Sequence, residues 1–294
     1  MQNLAKCAFS VDVEDWFHIL DVPGAPDLSK WGSLPSRVEA NFLRLLDLFS
    51  EEKKLVTCFF LGWVAERFPH LVREAAERGH EIASHGYAHR LVYEMSPKEF
   101  GDDARRARLV LEDIIGLPVI GYRAPGFSVT EATPWFFEEV SNSGYLYDSS
   151  IFPARRGHGG DRRGVLEPHS LHHGRLIEFP ISQAQIGPMR ICFFGGGYLR
   201  LFPYGVVRRM AKRQMDEGRS LIFYVHPREI DPQHPRIPMS LSRQFKTYVN
   251  LGTAEAKIVR IVREFPITTC RDFLFGRAAD TSPLSGAVVS SLAS

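Results

Sequence analysis

Short strand-like segments recur along the first half of this chain, and three of them run directly into polar residues. These segments cover residues 7–11, 55–60, 81–83 and 118–122. Between them lie stretches in which apolar residues repeat at helical spacing, at residues 35–49, 69–78 and 96–115. Strands separated by helices pair in parallel, because each helix returns the chain to the edge at which the previous strand began. The pattern therefore predicts an α/β fold around a buried parallel sheet.

The size and charge of the chain limit the kinds of protein that it can be. Its 294 residues fit one large α/β domain. A net charge of +2, without a clustered stripe of Lys and Arg, argues against nucleic acid as a partner. No run approaches about 18 uninterrupted apolar residues, so we expect no transmembrane segment. Acidic residues interrupt the amino-terminal apolar run, so we expect no signal peptide and predict a cytoplasmic location. The sequence does not indicate the oligomeric state.

The third helical stretch carries its own start and stop signals. Ser96-Pro97-Lys98-Glu99 has the form of a capping box with proline at the first helical position. Gly116 follows the last apolar residue and suits a C-cap, because glycine adopts the left-handed conformation that closes a helix. We therefore predict a helix that ends at about Ile115.

Residues capable of chemistry follow three of the predicted strands. They are Asp12, Glu14 and Asp15 after the first strand, Ser84 and His85 after the third, and Arg123 after the fourth. In parallel sheets the carboxyl ends of the strands lie at one edge, and the side chains that leave the sheet there converge. The sequence therefore predicts one site that gathers these residues.

The segment His85-Gly-Tyr-Ala-His89 places two imidazoles four residues apart. On one helical turn or in a tight loop they point the same way and can bind one metal ion. At least one carboxylate of residues 12–15 must enter the same face, because these residues follow an interior strand. Only a metal or another cation offsets the cost of burying that carboxylate. Two imidazoles, one carboxylate and an open position for water describe a hydrolytic site for zinc or a similar divalent ion.

Six motifs follow one another along the chain. They are VDVEDWF at 11–17, GHEIASHGYAH at 79–89, GYRAPGFS at 121–128, YDSSIFP at 147–153, GGGYLR at 195–200 and FYVHPREID at 223–231. Together they resemble the NodB-homology polysaccharide deacetylases, carbohydrate esterase family 4. More narrowly, they resemble the branch found in exopolysaccharide loci associated with exosortase.

The resemblance implies a fold and a domain organisation. It predicts an irregular (β/α)7-type barrel with an elaborated C-terminal part, formed by a single domain over residues 1–277. Residues 5–153 would carry the motifs of the core, and residues 154–277 would complete the barrel. Residues 278–294 are small and polar, and we predict that they form a disordered tail.

The resemblance also implies catalytic roles. Asp12 would be the general base, and Arg123 would orient its carboxylate. His226 would be the general acid that protonates the departing amine, held in place by Asp148. A histidine suits this task because its unperturbed pKa lies at about 6.5. The backbone N–H of Gly126 would help to bind the oxyanion.

The implied metal ligands are His85, His89 and one carboxylate. Most members of the family have two adjacent Asp residues at the first strand end, the base and then the ligand. Here the run is Asp12-Val-Glu14-Asp15. Position favours Glu14 as the ligand and residue type favours Asp15, and the sequence does not decide between them. We expect zinc as the metal, with cobalt, nickel or manganese as alternatives.

The sugar groove departs from the family pattern. The Arg-x-Pro motif is followed by Gly126 instead of an aromatic residue. Phe127 and Trp16 are therefore candidates to line the groove and stack on sugar rings, and packing in the core or at its rim is the alternative for each.

These observations predict a hydrolase that acts on carbon–nitrogen bonds other than peptide bonds. The resemblance implies a metal-dependent deacetylase that removes N-acetyl groups from an acetylated amino sugar, in exopolysaccharide or cell-envelope glycan metabolism. One alternative is an amidohydrolase of small cyclic amides, similar to allantoinase. Another is a carbohydrate-binding protein without activity. The intact set Asp12, His85, His89, Arg123 and His226 argues against that last reading.

Overall fold

A curled sheet organises the part of the chain that the computed structural model describes, residues 7–153, 159–160, 164–187 and 189–276. Its strands are β1 (Cys7–Val13), β2 (Thr57–Phe60), β3 (Glu81–Ser84), β4 (Gly121–Tyr122), β5 (Tyr147–Asp148), β6 (His169–Leu171), β7 (Leu176–Glu178), β10 (Ile222–Val225) and β11 (Ile267–Thr268). Two further strands, β8 (Ala184–Ile186) and β9 (Met189–Ile191), form a separate antiparallel pair.

The strand order confirms the predicted α/β fold. The order is β10-β1-β2-β3-β4-β5-β7-β6, with β11 also paired to β1. The path from β10 to β7 is parallel throughout, and β6 alone runs antiparallel to its neighbour. Among the described strands β10 and β6 end the path without pairing to each other, so the sheet is a curled half-barrel.

Helices connect and cover the strands. They are α1 (Leu28–Trp31), α2 (Val38–Glu51), α3 (Gly62–Arg67), α4 (Pro69–Glu77), α5 (Pro97–Ile115), α6 (Phe136–Asn142), α7 (Gly196–Leu201), α8 (Tyr204–Asp216), α9 (Leu241–Tyr248), α10 (Ala254–Glu264) and α11 (Cys270–Phe275). The apolar sides of α2, α4, α5, α8 and α10 form the main core together with outward-facing strand residues such as Phe9 and Phe223. Strand side chains alternate between faces, so Ala8, Ser10 and Asp12 share the inner face of β1.

The end signals of the third predicted helix are confirmed in α5. The Ser96 hydroxyl accepts from the backbone N–H of Glu99, and the Glu99 carboxylate accepts from the backbone N–H of Ser96. Gly116 closes the helix with a φ of 66°, in the left-handed region that glycine adopts at little cost. The helix therefore spans the stretch that the sequence predicts.

Strand register brings the site residues together. Val11 lies beside Val225 of β10, so Asp12 and His226 leave neighbouring strands at the same level. Ser84 of β3 pairs with Tyr122 of β4, so His85 and Arg123 are also neighbours. These pairings join residues that are far apart in the sequence at one edge of the sheet.

No helix among the described residues has the length and apolar character needed to cross a membrane. The predicted tail, residues 278–294, lies outside the described residues.

A substitution at Gly121 tests how tightly the inner face of the sheet is packed. A Cβ atom at this position would overlap the buried ring of Tyr147, whose hydroxyl donates to Glu81 at 2.8 Å. Gly121→Ala should therefore lower the free energy of unfolding by about 1–3 kcal/mol, measured by urea denaturation. Gly205→Ala is the matched control, because that position in α8 meets open space. Equal stability of the two variants would contradict the packing described here.

Candidate active site

A cavity of about 750 Å³ opens at the carboxyl ends of β1, β3 and β10. Seven of the residues singled out in the sequence line it: Asp12, Glu14, His85, His89, Gly126, Phe127 and His226. The polar strand ends thus meet in one place, as a parallel topology requires.

Arg123 is a fully buried cation that is bonded on several sides. Its Nη1 atom donates to Asp12 Oδ1 at 2.6 Å and to Ser10 Oγ at 2.7 Å. Its Nε and Nη2 atoms donate to the carbonyl and hydroxyl oxygens of Ser149. The guanidinium carbon lies 4.0 Å from the centre of the Phe59 ring. The Asp12 carboxylate is therefore held in one position, with its second oxygen 3.8 Å from His226 Nε2.

His85 is held in the tautomer that can bind a metal. Its Nδ1 atom lies 2.8 Å from the carbonyl oxygen of Arg123, which can only accept, so Nδ1 carries the proton. Burial lowers the pKa of His85 to about 4, so the ring is neutral at pH 7. The lone pair on Nε2 is then left for another partner.

Glu14 and His89 face each other on the cavity wall. Glu14 Oε2 lies 2.9 Å from His89 Nε2, and the ring centres of His89 and His85 are 5.4 Å apart. His89 sits in a tight loop with a φ of 50°. Burial opposes ionisation of Glu14, but the charges of His89, Arg228 and His226 outweigh it and hold the Glu14 pKa well below its usual range.

His226 stands between carboxylates. Its Nδ1 atom lies 2.6 Å from Glu229 Oε1, and its Nε2 atom lies 3.0 Å from Glu14 Oε1. Carboxylate oxygens only accept, so both ring nitrogens of His226 face hydrogen-bond acceptors. Burial disfavours a charged Glu229, yet Arg200, at 2.9 Å from its Oε2 atom, and His226 lower its pKa to about 2.

The predicted contact between Asp148 and His226 is wrong. The Asp148 carboxylate instead accepts from the backbone N–H and the hydroxyl of Ser150 and shares a hydrogen bond with the buried Glu178. Two parallel neighbours, β4 and then β3, separate β5 from β2, so the strand that carries Asp148 lies far along the sheet from β10. Glu229 occupies the place predicted for Asp148.

The structure separates Glu14 from Asp15. Asp15 does not line the cavity, and its carboxylate accepts from the Ser36 hydroxyl and from the backbone N–H groups of Arg37 and Val38. Those two N–H groups are unpaired donors at the start of α2, where a negative charge is favourable. Asp15 therefore anchors α2 and is not placed to bind a metal.

Trp16 does not line the groove either. It packs in a separate apolar cluster with Phe17 and Trp31, and its indole N–H donates to the carbonyl oxygen of Pro35 at 3.0 Å. Trp16 therefore packs in the protein interior, which was the alternative to a place in the sugar groove. Phe127 lines the cavity and also packs edge-on against Tyr224, so it belongs to both the wall and the core.

His18 is a cavity residue that the sequence analysis missed. Its Nδ1 atom accepts from the backbone N–H of Asp15 at 2.9 Å, so a neutral ring carries its proton on Nε2. Burial and the nearby His89 hold its pKa well below the usual value. Within the described residues this Nε2 atom has no hydrogen-bond partner. His18 therefore offers a proton donor, the opposite of His85. Its position directly after the 11–17 motif was the available signal.

The donor atoms on the wall fit a divalent cation. In the described part of the chain, no three acidic, thiol or imidazole side chains surround one point at coordinating distances. The chemical properties of the donor atoms nevertheless suit a divalent cation. His85 presents a neutral Nε2 lone pair, and Glu14 is an ionised carboxylate beside His89. Neutral imidazole and carboxylate are the ligands that zinc takes in hydrolytic sites. His18 does not fit, because its Nε2 is protonated.

Comparison with protein families divides the chain into two matched segments. Residues 32–145 match the polysaccharide deacetylase family, and residues 149–275 match a domain of unknown function, DUF3473. Each of the two matches covers less than half of the chain. His85, His89 and Arg123 fall in the first match, and His226 and Glu229 fall in the second. Both segments are needed to build the cavity.

The individual proteins that this chain resembles share little sequence identity with it. The peptidoglycan deacetylase of Helicobacter pylori is 27% identical over 152 residues, which are 49% of this chain and 48% of that protein. The chain thus spans about half the length of this relative. The crystal structure of a putative polysaccharide deacetylase from Mycobacterium smegmatis has a TM-score of 0.59 and 21% identity, covering 91% of this chain and 88% of its own. The PuuE allantoinase structure has a TM-score of 0.58 and 17% identity, covering 90% and 86%. At these identities the two structures show a shared fold.

The buried pair of Asp148 and Glu178 should make stability depend on pH. Burial raises the pKa of Asp148 to about 6 and that of Glu178 well above its usual range. The folded protein thus keeps a proton that the unfolded chain releases at about pH 4. This stabilisation is complete below about pH 4 and is lost as the pH rises through about 6. In Asp148→Asn, the decline in unfolding free energy over this range should shrink by on the order of 2 kcal/mol, measured by urea denaturation.

The control for this measurement is Asp47→Asn, which removes an exposed carboxylate that pairs with Arg78. It should leave the pH dependence unchanged. An unaltered pH dependence in Asp148→Asn would show that the pair holds no extra proton.

Proposed function

We propose that this protein hydrolyses the N-acetyl amide of an acetylated amino sugar with the help of a divalent cation. The observation that carries the proposal is the meeting, at one cavity, of a carboxylate locked by a buried arginine and a histidine bracketed by carboxylates. Amide hydrolysis needs a base for the attacking water and an acid for the departing amine. We assign these two tasks to Asp12 and His226.

Glu14, His85 and His89 would hold the cation. When bound, a divalent ion supplies a Lewis acid and lowers the pKa of water to about 7. The protein's contribution is to keep each donor atom ready. The Arg123 carbonyl fixes the tautomer of His85, and the surrounding positive charges keep Glu14 ionised.

Asp12 would take the proton from the attacking water. One of its oxygens is bound by Arg123 and the other is free to face the cavity. Because the arginine cannot lose its proton, the carboxylate stays in one orientation through the reaction. Proton transfer by a side chain held in this way contributes about 10²–10⁴-fold to the rate of such reactions.

His226 would give a proton to the departing amine from its Nε2 atom. Glu229 holds Nδ1 and balances the charge of the doubly protonated ring, and Arg200 keeps Glu229 ionised in turn. The backbone N–H of Gly126 would support the oxyanion that forms as water adds to the amide. The amine then leaves in neutral form, and acetate is the second product.

The substrate we favour is an amino-sugar glycan or its precursor from exopolysaccharide or cell-envelope metabolism. This choice rests on the six motifs and on the polysaccharide deacetylase match. The exosortase-associated branch, zinc as the native metal and a cytoplasmic location stay predictions. Hydrolysis of a small cyclic amide such as allantoin is the competing activity, and the same assay distinguishes the two.

Acetate release from chitooligosaccharides tests the proposal. Chelation of divalent ions should abolish release, and added zinc should restore it. Asp12→Asn should lower kcat by about 10²–10⁴-fold, because the amide cannot accept the proton. Asp47→Asn, at an exposed position, should keep full activity. Full turnover by the metal-free protein, or turnover of allantoin without acetate release from the sugar, would refute the proposal.

Substitutions of Glu14 and of Asp15 test which of the two carboxylates binds the cation. Glu14→Gln should weaken zinc binding by at least about 100-fold in calorimetric titration, because it removes a charged ligand. Asp15→Asn should leave zinc affinity nearly unchanged but lower the free energy of unfolding by about 1–3 kcal/mol, because it weakens the bonds to the start of α2. The reverse pattern would assign the ligand to Asp15.

A further inference from the structure

The outer wall of the cavity is built from two acid-free segments. Residues 179–215 and 232–254 contain no Asp or Glu. They contain nine cationic side chains: Arg190, Arg200, Arg208, Arg209, Lys212, Arg213, Arg236, Arg243 and Lys246. Helices α7, α8 and α9 come from these segments, and α7 packs against α9 beside the cavity. Three of these cations pair with acids from other segments, Arg200 with Glu229, Arg208 with Glu264 and Arg213 with Glu217, which leaves a smaller positive excess on this side.

Helix α9 exposes apolar side chains to an unusual degree. None of its residues is buried, and Leu241 and Phe245 are 84% and 57% exposed. These two residues are four apart, so they lie on the same side of the helix. Tyr198 and Leu201 of the neighbouring α7 are also exposed. We call Tyr198, Leu201, Leu241, Phe245 and Lys246 the α7–α9 face.

Charges near this face leave a positive excess. Arg200 is committed to Glu229, and Arg243 donates to the carbonyl oxygen of Leu20. Lys246 has no acidic partner within ion-pair distance among the described residues. Asp21 and Glu229 are among the acids that line the cavity. The face therefore combines exposed apolar groups with a cation, Lys246, that forms no ion pair with an acid in the described part of the chain.

This combination favours a lipid surface over a sugar polymer. Sugar rings stack on aromatic side chains, but such stacking does not account for a leucine as exposed as Leu241. A short helix with apolar residues on one side and Lys or Arg beside them is typical of segments that lie in the membrane interface. Each such cation near an anionic bilayer adds about fivefold to binding, from about 1 kcal/mol.

We propose that the α7–α9 face docks this protein on bilayers that contain anionic lipids. Leu241 and Phe245 enter the headgroup region, and Lys246 lies among the lipid phosphates. Phe245, Lys246, Tyr198 and Leu201 also line the cavity, so docking places the cavity mouth at the lipid–water boundary. The proposal concerns binding alone and does not depend on the proposed hydrolysis.

Flotation with vesicles tests the proposal on the full chain. The protein should float with phosphatidylcholine vesicles that contain phosphatidylglycerol and should not float with phosphatidylcholine alone. The double variant Leu241→Ser, Phe245→Ser should bind at least about tenfold more weakly, because the apolar contribution is lost. Lys246→Ala should bind about fivefold more weakly, and added salt should weaken wild-type binding.

Leu109→Ser is the matched control. Leu109 is 58% exposed on α5, which packs mainly on α3, α4 and α6, so its loss should leave vesicle binding unchanged. Thermal unfolding of each variant checks that the fold is intact. We expect an intact fold because the substituted residues are exposed. Absence of wild-type binding to anionic vesicles would overturn the proposal. Equal loss in Leu109→Ser would overturn it too, as would sedimentation showing that the face instead joins two copies of the chain.

Discussion

The buried ion pair of Arg123 and Asp12 is the interaction on which both the fold and the site depend. Removing one partner of such a pair leaves an uncompensated charge, at a cost of about 3–5 kcal/mol. Here the guanidinium also binds Ser10 and Ser149, so it connects the inner face of β1 with the ends of β4 and β5. The same contacts that satisfy a buried charge also aim the carboxylate at the cavity.

The cavity combines side chains from two segments that match different families. The first segment provides His85, His89 and Arg123, and the second provides His226 with Glu229 and Arg200. Neither segment alone contains both the imidazoles of His85 and His89 and the ring of His226, which lies between two carboxylates. The segment that matches DUF3473 therefore contributes directly to the cavity of this protein.

Parallel topology explains which parts of the site could be predicted from the sequence. Residues that end parallel strands must lie at one edge, so the meeting of Asp12, His85 and Arg123 could be predicted from their positions, whereas His226 was predicted through the motif at 223–231. Contacts made beyond the strand ends depend on local turns that periodicity does not describe. Glu14 and Asp15 are adjacent, yet one faces the cavity and the other caps α2, and neither residue type nor spacing shows which.

Strand order and loop packing account for the remaining errors. Asp148 ends a strand like the others, but β5 lies on the far side of β4, and the partner of His226 comes instead from the turn that follows β10. Trp16 is adjacent to the acidic motif in sequence, but its ring turns into the cluster with Phe17 and Trp31. A hydrogen bond from the backbone of Asp15 decides the role of His18, and a sequence does not show such a bond.

The pairing of β1 with β10 also bears on how the protein is made. These strands lie side by side, yet the hydrogen bond from the Ser10 hydroxyl to the Phe223 carbonyl spans 213 positions of sequence. Contacts between such distant positions form late, because a long loop must close first. During synthesis, residues 1–226 must leave the ribosome before Asp12 can meet His226. A nascent or truncated chain that stops before β10 therefore lacks His226 at the cavity, and the edge of β1 that faces β10 is unprotected.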